Sequence, residues 1–231
     1  MQPLATNAVV GQDATFCGRD DDGNKRWAEV QRDTASTKTV GLACGPAATG
    51  EDVMAQLEAL RAARGELPLV FACDRGAQYE NATVKDYLEA NGVVLLPRLP
   101  RTPQHNAWSE RGIRELKEAA QLDPGMPAAQ QEERLKSTAA RLDANRRHAT
   151  RKGLTADQAD SILPRATSLV PRQAFYATCR RAMEGAERRH EHSRARTLAC
   201  RKAAFAVMER FGLVRITGGR APSSRRRSVP N

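Results

Sequence analysis

The run Leu67-Pro68-Leu69-Val70-Phe71-Ala72-Cys73 is apolar throughout and stops at Asp74. A segment that short and that uniform reads as a buried strand. The neighbouring segments fit a sheet around it. Upstream, Ala8-Val9-Val10 leads into Asp13-Ala14-Thr15-Phe16, a polar turn spans Gly18 to Asn24, and Trp27 to Val30 and Thr39 to Ala43 supply two more short stretches. These predict three antiparallel strands. Residues 50–64 place Val53, Leu57 and Leu60 at helical spacing, with Glu51 and Asp52 in the first turn, where the helix dipole favours acids. Beyond Asp74 the pattern predicts a helix through Val84, Leu88 and Ala90 to the Asn91-Gly92 stop, then a strand at Val93-Val94-Leu95-Leu96. Thr102 as N-cap and Pro103 in the first turn open a further helix to about Gln121, and another spans roughly Ala128 to Asn145. This order of elements predicts an α/β fold: a mixed five-stranded sheet with helices on both faces.

The 231 residues suffice for one core and an appendage, and their net charge of +10 is unevenly placed. Residues 165–231 hold 16 Lys and Arg against 4 Asp and Glu, which leaves the rest of the chain at −2. A basic excess of this kind points to nucleic acid as partner. Three parts are expected. Residues 1–162 form the core, 163–217 a basic helical C-terminal extension carrying Phe175, Met183, Leu198, Phe205 and Met208, and 218–231 an Arg-rich tail without fixed structure. Within the extension, Gly212 to Thr217 is read as one short strand. The five cysteines are scattered and odd in number, so a reducing cytoplasm is the expected location, and no apolar run approaches membrane-spanning length.

Between Asp74 and Glu110 lie 35 residues, and Asp13 stands at the end of an earlier apolar stretch. Three such acids brought together can hold two Mg2+ or Mn2+ ions, because carboxylates are hard ligands and paired ions assist in-line displacement at phosphorus. Asp13 and Asp74 are expected at the ends of neighbouring strands, with Glu110 on a helix above. Asn106, Glu110, Arg114 and Lys117 recur at steps of four, four and three, so they share one helix face. That face suits a phosphodiester backbone beside the metals. Asp20-Asp21-Asp22 reads as turn chemistry in a hairpin loop, and the four histidines lack metal-ligand spacing.

Asp13-Ala14-Thr15, Cys73-Asp74-Arg75-Gly76-Ala77-Gln78-Tyr79, Pro100 to Arg111 with its Gln104-His105-Asn106-Ala107-Trp108-Ser109-Glu110 heart, and Leu116-Lys117-Glu118 together resemble the retroviral-integrase-like DDE catalytic core of bacterial insertion-sequence transposases. Asn145-Arg146-Arg147-His148 and Leu154-Thr155-Ala156 resemble that family's closing motif. The resemblance implies a ribonuclease-H-like fold and a catalytic, metal-binding triad of Asp13, Asp74 and Glu110. It implies two divalent ions and DNA cleavage followed by strand transfer. It also places Gln78, Tyr79 and Asn106 in or beside the site and Arg114 and Lys117 along the DNA; the basic tail residues Arg225, Arg226 and Arg227 are read as further DNA contacts. Cys73 and Arg75 replace the usual Ser and Asn around the second acid, and Ala156 replaces the usual Pro. Only twelve residues precede Asp13, so an end-recognising helix-turn-helix is expected from a separate subunit or segment, on a homo-oligomer bound to DNA. Two alternatives remain in the sequence: a ribonuclease-H-like nuclease that only hydrolyses, and an inactive DNA-binding transposase remnant.

Overall fold

The computed structural model describes residues 2–74, 76–97 and 107–216, with the side chains of 107–109 left aside. In chain order the elements are β1 (Gln2–Pro3), β2 (Val9–Arg19), β3 (Lys25–Asp33), β4 (Thr39–Gly45), α1 (Gly50–Arg64), β5 (Val70–Cys73), α2 (Ala77–Glu80), α3 (Ala82–Ala90), β6 (Val94–Pro97), α4 (Ala107–Ala120), α5 (Ala128–Asn145), a 3-10 turn (Ala149–Arg151), α6 (Ala156–Ile162), α7 (Ala166–Leu169), α8 (Arg172–Glu187), α9 (Ser193–Arg210) and β7 (Val214–Arg215). The main sheet has five strands in the order β4-β3-β2-β5-β6. β2, β3 and β4 pair antiparallel, whereas β5 pairs parallel with both β2 and β6. This is the mixed sheet that the order of elements predicts.

Local chemistry sets the main helix. At the start of α1, Thr49 Oγ1 accepts from the Asp52 N–H (3.3 Å) and Asp52 Oδ2 accepts from the Thr49 N–H (2.8 Å), so each end of the pair satisfies an orphan donor. Gly65 ends the helix in the left-handed region at φ 79°, a conformation that glycine adopts without cost.

Strand β5 shows why its sequence is uniformly apolar. Its residues alternate: Val70 and Ala72 join a cluster with Val94, Leu96, Phe175, Cys179, Ala204 and Met208, while Phe71 and Cys73 join Val53, Leu57, Val84 and Leu88 on the other side. Helices α1 and α3 therefore cover one face, and α8 and α9 cover this half of the other. The remaining half of that second face buries Ala28, Val30 and Cys44 under Ile113, Leu116 and Ala120 of α4 and Leu135 and Ala139 of α5.

Residues beyond 162 thus contribute to the same hydrophobic layer as β5 and β6. Two of their cations are structural. The guanidinium of Arg201, 5 % exposed, donates to Pro97 O (2.8 Å) and lies over the Phe205 ring, and Arg172 donates to Pro68 O (2.8 Å) and to Leu67 O. The first and last strands of the described residues also meet, β1 pairing antiparallel with β7. The helical extension is built mainly of two long helices, α8 and α9, joined through residues 188–192. Arg225, Arg226 and Arg227 fall outside the described residues, as does the expected Thr102-Pro103 helix start.

Candidate active site

Asp13 is not at a strand end. It is the fifth residue of the eleven in β2, because the hairpin with β3 continues pairing to Arg19 while the parallel ladder with β5 ends at Gly11↔Ala72. Two residues further along each chain are Asp13 and Asp74. Residues two apart on a strand share a face, so the ladder aims both positions at the side covered by α4. Here the sheet opens: β5 stops and β2 runs on.

Helix α4 supplies the third acid. Its inner stripe, Ile113, Leu116 and Ala120, packs on the sheet, which turns the stripe of Glu110, Arg114 and Lys117 to the side. Asp13, Ala14, Thr15, Glu110, Ile113, Arg114, Lys117 and Glu118 line one cleft of about 420 Å3. Two of the three predicted acids and both predicted cations therefore meet across β2 and α4. Glu110 and Arg114 are exposed and Asp13 is partly exposed. Lys117 Nζ donates to Phe16 O at 2.7 Å, tying α4 to the strand that carries Asp13; two of its three donors are left for a ligand. Asn106 lies outside the described residues.

Asp74 is exposed beyond the end of β5, where its Oδ1 accepts from the Gly76 N–H (2.9 Å). Among the described residues no three His, Cys, Asp or Glu side chains converge tightly enough to hold an ion. The donor chemistry suits Mg2+ or Mn2+, with carboxylate oxygens and a cleft open to water. The triad is thus two acids in one cleft and a third on the adjoining turn.

Tyr79 corrects the sequence reading. It is 1 % exposed, and its hydroxyl donates to Glu29 Oε2 at 2.8 Å, so this ring does not reach a ligand in the cleft. Burial and then the Glu29 carboxylate push its phenol well above the usual range, and it remains a donor. Glu29 Oε2 also accepts from Gln12 Nε2 (3.0 Å), which donates in turn to Gln56 Oε1 (3.0 Å), while Gln31 Nε2 donates to Gln12 Oε1 (2.8 Å). This network joins β2, β3, α1 and α2 on the face opposite Asp13, and so braces the turn that presents Asp74. Sequence reasoning missed it; the only signal was polar Glu29 and Gln31 at alternate positions of a strand. Gln78 is partly buried and folds over Gly76, where a Cβ would come 2.4 Å from its Oε1. Tyr79→Phe is expected to cost about 1–3 kcal/mol, because it takes a donor from a buried carboxylate, without changing DNA affinity. Chemical denaturation and a duplex-binding titration check the two halves.

Beneath the outer side of α4 lies a second charged group. Arg32 Nε donates to Thr37 O (3.1 Å), Asp143 Oδ2 accepts from the Thr39 N–H (2.9 Å), and Glu115 pairs with Arg146 (2.7 Å). Burial raises the Asp143 carboxyl to about 6, against the pull of the Thr39 N–H and Arg32. His148 is held below its ordinary value by burial first and then by Arg32. Gly112 is the contact point, since a Cβ there would fall 1.0 Å from Arg32 Nη1. The Leu154-Thr155-Ala156 motif opens α6 by a capping box, with Gln158 N–H donating to Thr155 Oγ1 at 3.2 Å.

No protein-family model matches the sequence, and no curated protein does. Solved structures do resemble the fold. A chain of the simian T-cell lymphotropic virus intasome, solved with PP2A regulatory subunit B56 gamma, superposes at TM-score 0.59 and 17 % identity over 69 % of this chain, which spans 56 % of the intasome chain. The HTLV-2 integrase catalytic core domain, solved with magnesium in a dimeric form, superposes at TM-score 0.55 and 15 % identity over 69 % of this chain and 99 % of that one. The catalytic core domain of BIV integrase gives TM-score 0.50 and 18 % identity over 65 % and 91 %. At these identities the likeness establishes the fold: a ribonuclease-H-like α/β architecture of the kind found in retroviral integrase catalytic cores.

Proposed function

We propose that this chain is a DNA transposase or integrase catalytic subunit that performs metal-dependent phosphodiester cleavage and strand transfer. One observation carries the reading. Asp13 from the sheet and Glu110 from α4 meet in a cleft that also holds Arg114 and Lys117, and the strand register directs Asp74 to the same side. The integrase-core fold supports it. Asp13, Asp74 and Glu110 would hold two Mg2+ or Mn2+ ions, which in such sites activate the attacking oxygen and stabilise the leaving one. Arg114, with the spare donors of Lys117, would seat the phosphodiester backbone beside them. The partners proposed are transposon ends and target DNA, a homo-oligomer on that DNA, and a helix-turn-helix subunit, in a bacterial cytoplasm at the nucleoid.

The inactive-remnant reading is favoured by a single feature, the failure of the three acids to converge among the described residues. Titration with Mn2+ followed by a strand-joining assay on paired DNA ends separates the readings. A transposase binds the ion and joins strands, a simple nuclease binds it and only nicks, and a remnant does neither.

A further inference from the structure

The loop between α5 and α6, residues 145–153, contains Arg146, Arg147, Arg151 and Lys152, and no acid lies between Asp143 and Asp157. Both flanking acids are engaged: Asp143 with the Thr39 N–H and Asp157 with Lys38 Nζ (2.8 Å). The loop is tightly folded. His148 N–H donates to Leu154 O (3.0 Å), Gly153 N–H to His148 O (3.0 Å), and Arg147 Nη1 to Gly153 O (3.1 Å), while Arg151 Nη2 is tied to Thr34 O (2.6 Å). Lys152 is exposed and held in the left-handed region at φ 55°, ψ 33°. A loop so firmly held has little backbone freedom left to lose when it meets a ligand.

Its place matters as much as its charge. Arg146 pairs with Glu115 on α4 at 2.7 Å, and Arg111 stands one helical turn, about 6 Å, before Glu115 on the same stripe. The next stripe around the helix, about 100° away, is that of Glu110 and Arg114 in the acid cleft. The exposed cations Arg114, Arg111, Arg146 and Arg147 therefore follow one another from the cleft onto the loop. His148 is not counted in this track, because it is partly buried, and burial first and then Arg32 disfavour its charged form.

We propose that loop 145–153 is a second seat for the phosphate backbone of duplex DNA, continuous with the cleft by way of Arg111. The assignment rests on reading the cleft as a DNA site. Duplex DNA is favoured over an acidic protein because the track is a row of cations leading away from that cleft, and phosphates at regular intervals match such a row.

The test uses the full chain and an end-labelled duplex of arbitrary sequence, with affinity measured across a salt series. Lys152→Gly removes a charge at a backbone position that glycine adopts freely, so folding is preserved. Combined with Arg147→Gln, it is expected to weaken binding roughly tenfold at low salt and to reduce the salt slope by about 1 for each phosphate that the loop no longer neutralises. Unchanged affinity and slope in these variants, while Arg114→Gln weakens binding, would overturn the loop assignment alone. A wild-type chain with no salt-dependent affinity for the duplex would overturn the cleft reading and the loop with it.

Discussion

Replacing Glu110 by Gln is expected to remove magnesium-dependent strand transfer while leaving fold and duplex affinity in place. The two side chains have nearly the same shape, but the amide carries no charge and is a poorer ligand for a hard cation. Glu110 is exposed in the described first turn of α4, so the stability change should stay within about 0.5 kcal/mol. A metal site supplies several kcal/mol of barrier reduction, and each 1.36 kcal/mol is a factor of ten, so a loss of about a thousandfold or more in joining rate is expected. Two readouts are needed. Calorimetric titration with Mn2+ should show weakened ion binding, and a joining assay with labelled ends should show no product. Glu118→Gln serves as control, since Glu118 lines the same cleft and stands two turns further along the helix. Full joining activity in Glu110→Gln would sink the triad; equal losses in both variants would mean that only the negative charge of the cleft matters.

What was legible in the sequence was what neighbouring residues decide. The bounds of α1 follow from the Thr49–Asp52 capping box and Gly65 and agree with the stretch read from its apolar spacing, and α5 falls on the stretch read as roughly 128–145. The helix face bearing Glu110, Arg114 and Lys117 was readable for the same reason. Features decided by distant pairing were not. Asp13 looks like a strand end because the apolar run before it stops, yet β2 continues for as long as β3 offers partners. Tyr79 is placed beside the ligand by the family resemblance, but its role is set by Glu29, fifty residues away on a strand. The extension reads as a basic appendage by composition. Its Phe175, Cys179, Ala204 and Met208 nonetheless close the sheet, and Arg201 serves β6 carbonyls rather than solvent. Charge counts record a cation's sign and not where its side chain ends.

Gly112→Ala should lower the stability of the fold, against the ordinary preference of helices. In an open helix interior Ala is better than Gly by about 1 kcal/mol. Here the added Cβ would fall 1.0 Å from Arg32 Nη1 and 2.2 Å from Cζ, so the guanidinium has to leave. Arg32 is largely withdrawn from water, which lowers its pKa, and it is anchored to Thr37 O beside the Asp143 and Glu115 carboxylates. Displacing it gives up hydrogen bonds from a charged donor, worth about 1.5–3 kcal/mol, and deprives buried Asp143 of the counter-charge that acts on it most. The loss exceeds the helix gain, and a net destabilisation of about 2 kcal/mol is expected from denaturant unfolding. Arg32→Met in the same background tests the cause, because a flexible apolar chain can make room for the methyl group. The double variant should then be less destabilised than the two single effects added together. Because Gly112 is two residues from Glu110, a helix lifted by the trapped guanidinium would also bind Mn2+ more weakly, and the double variant should recover part of that affinity. If Gly112→Ala proves more stable than the wild type, the guanidinium swings clear, helix propensity wins, and Arg32 has no part in seating the helix that carries the third acid.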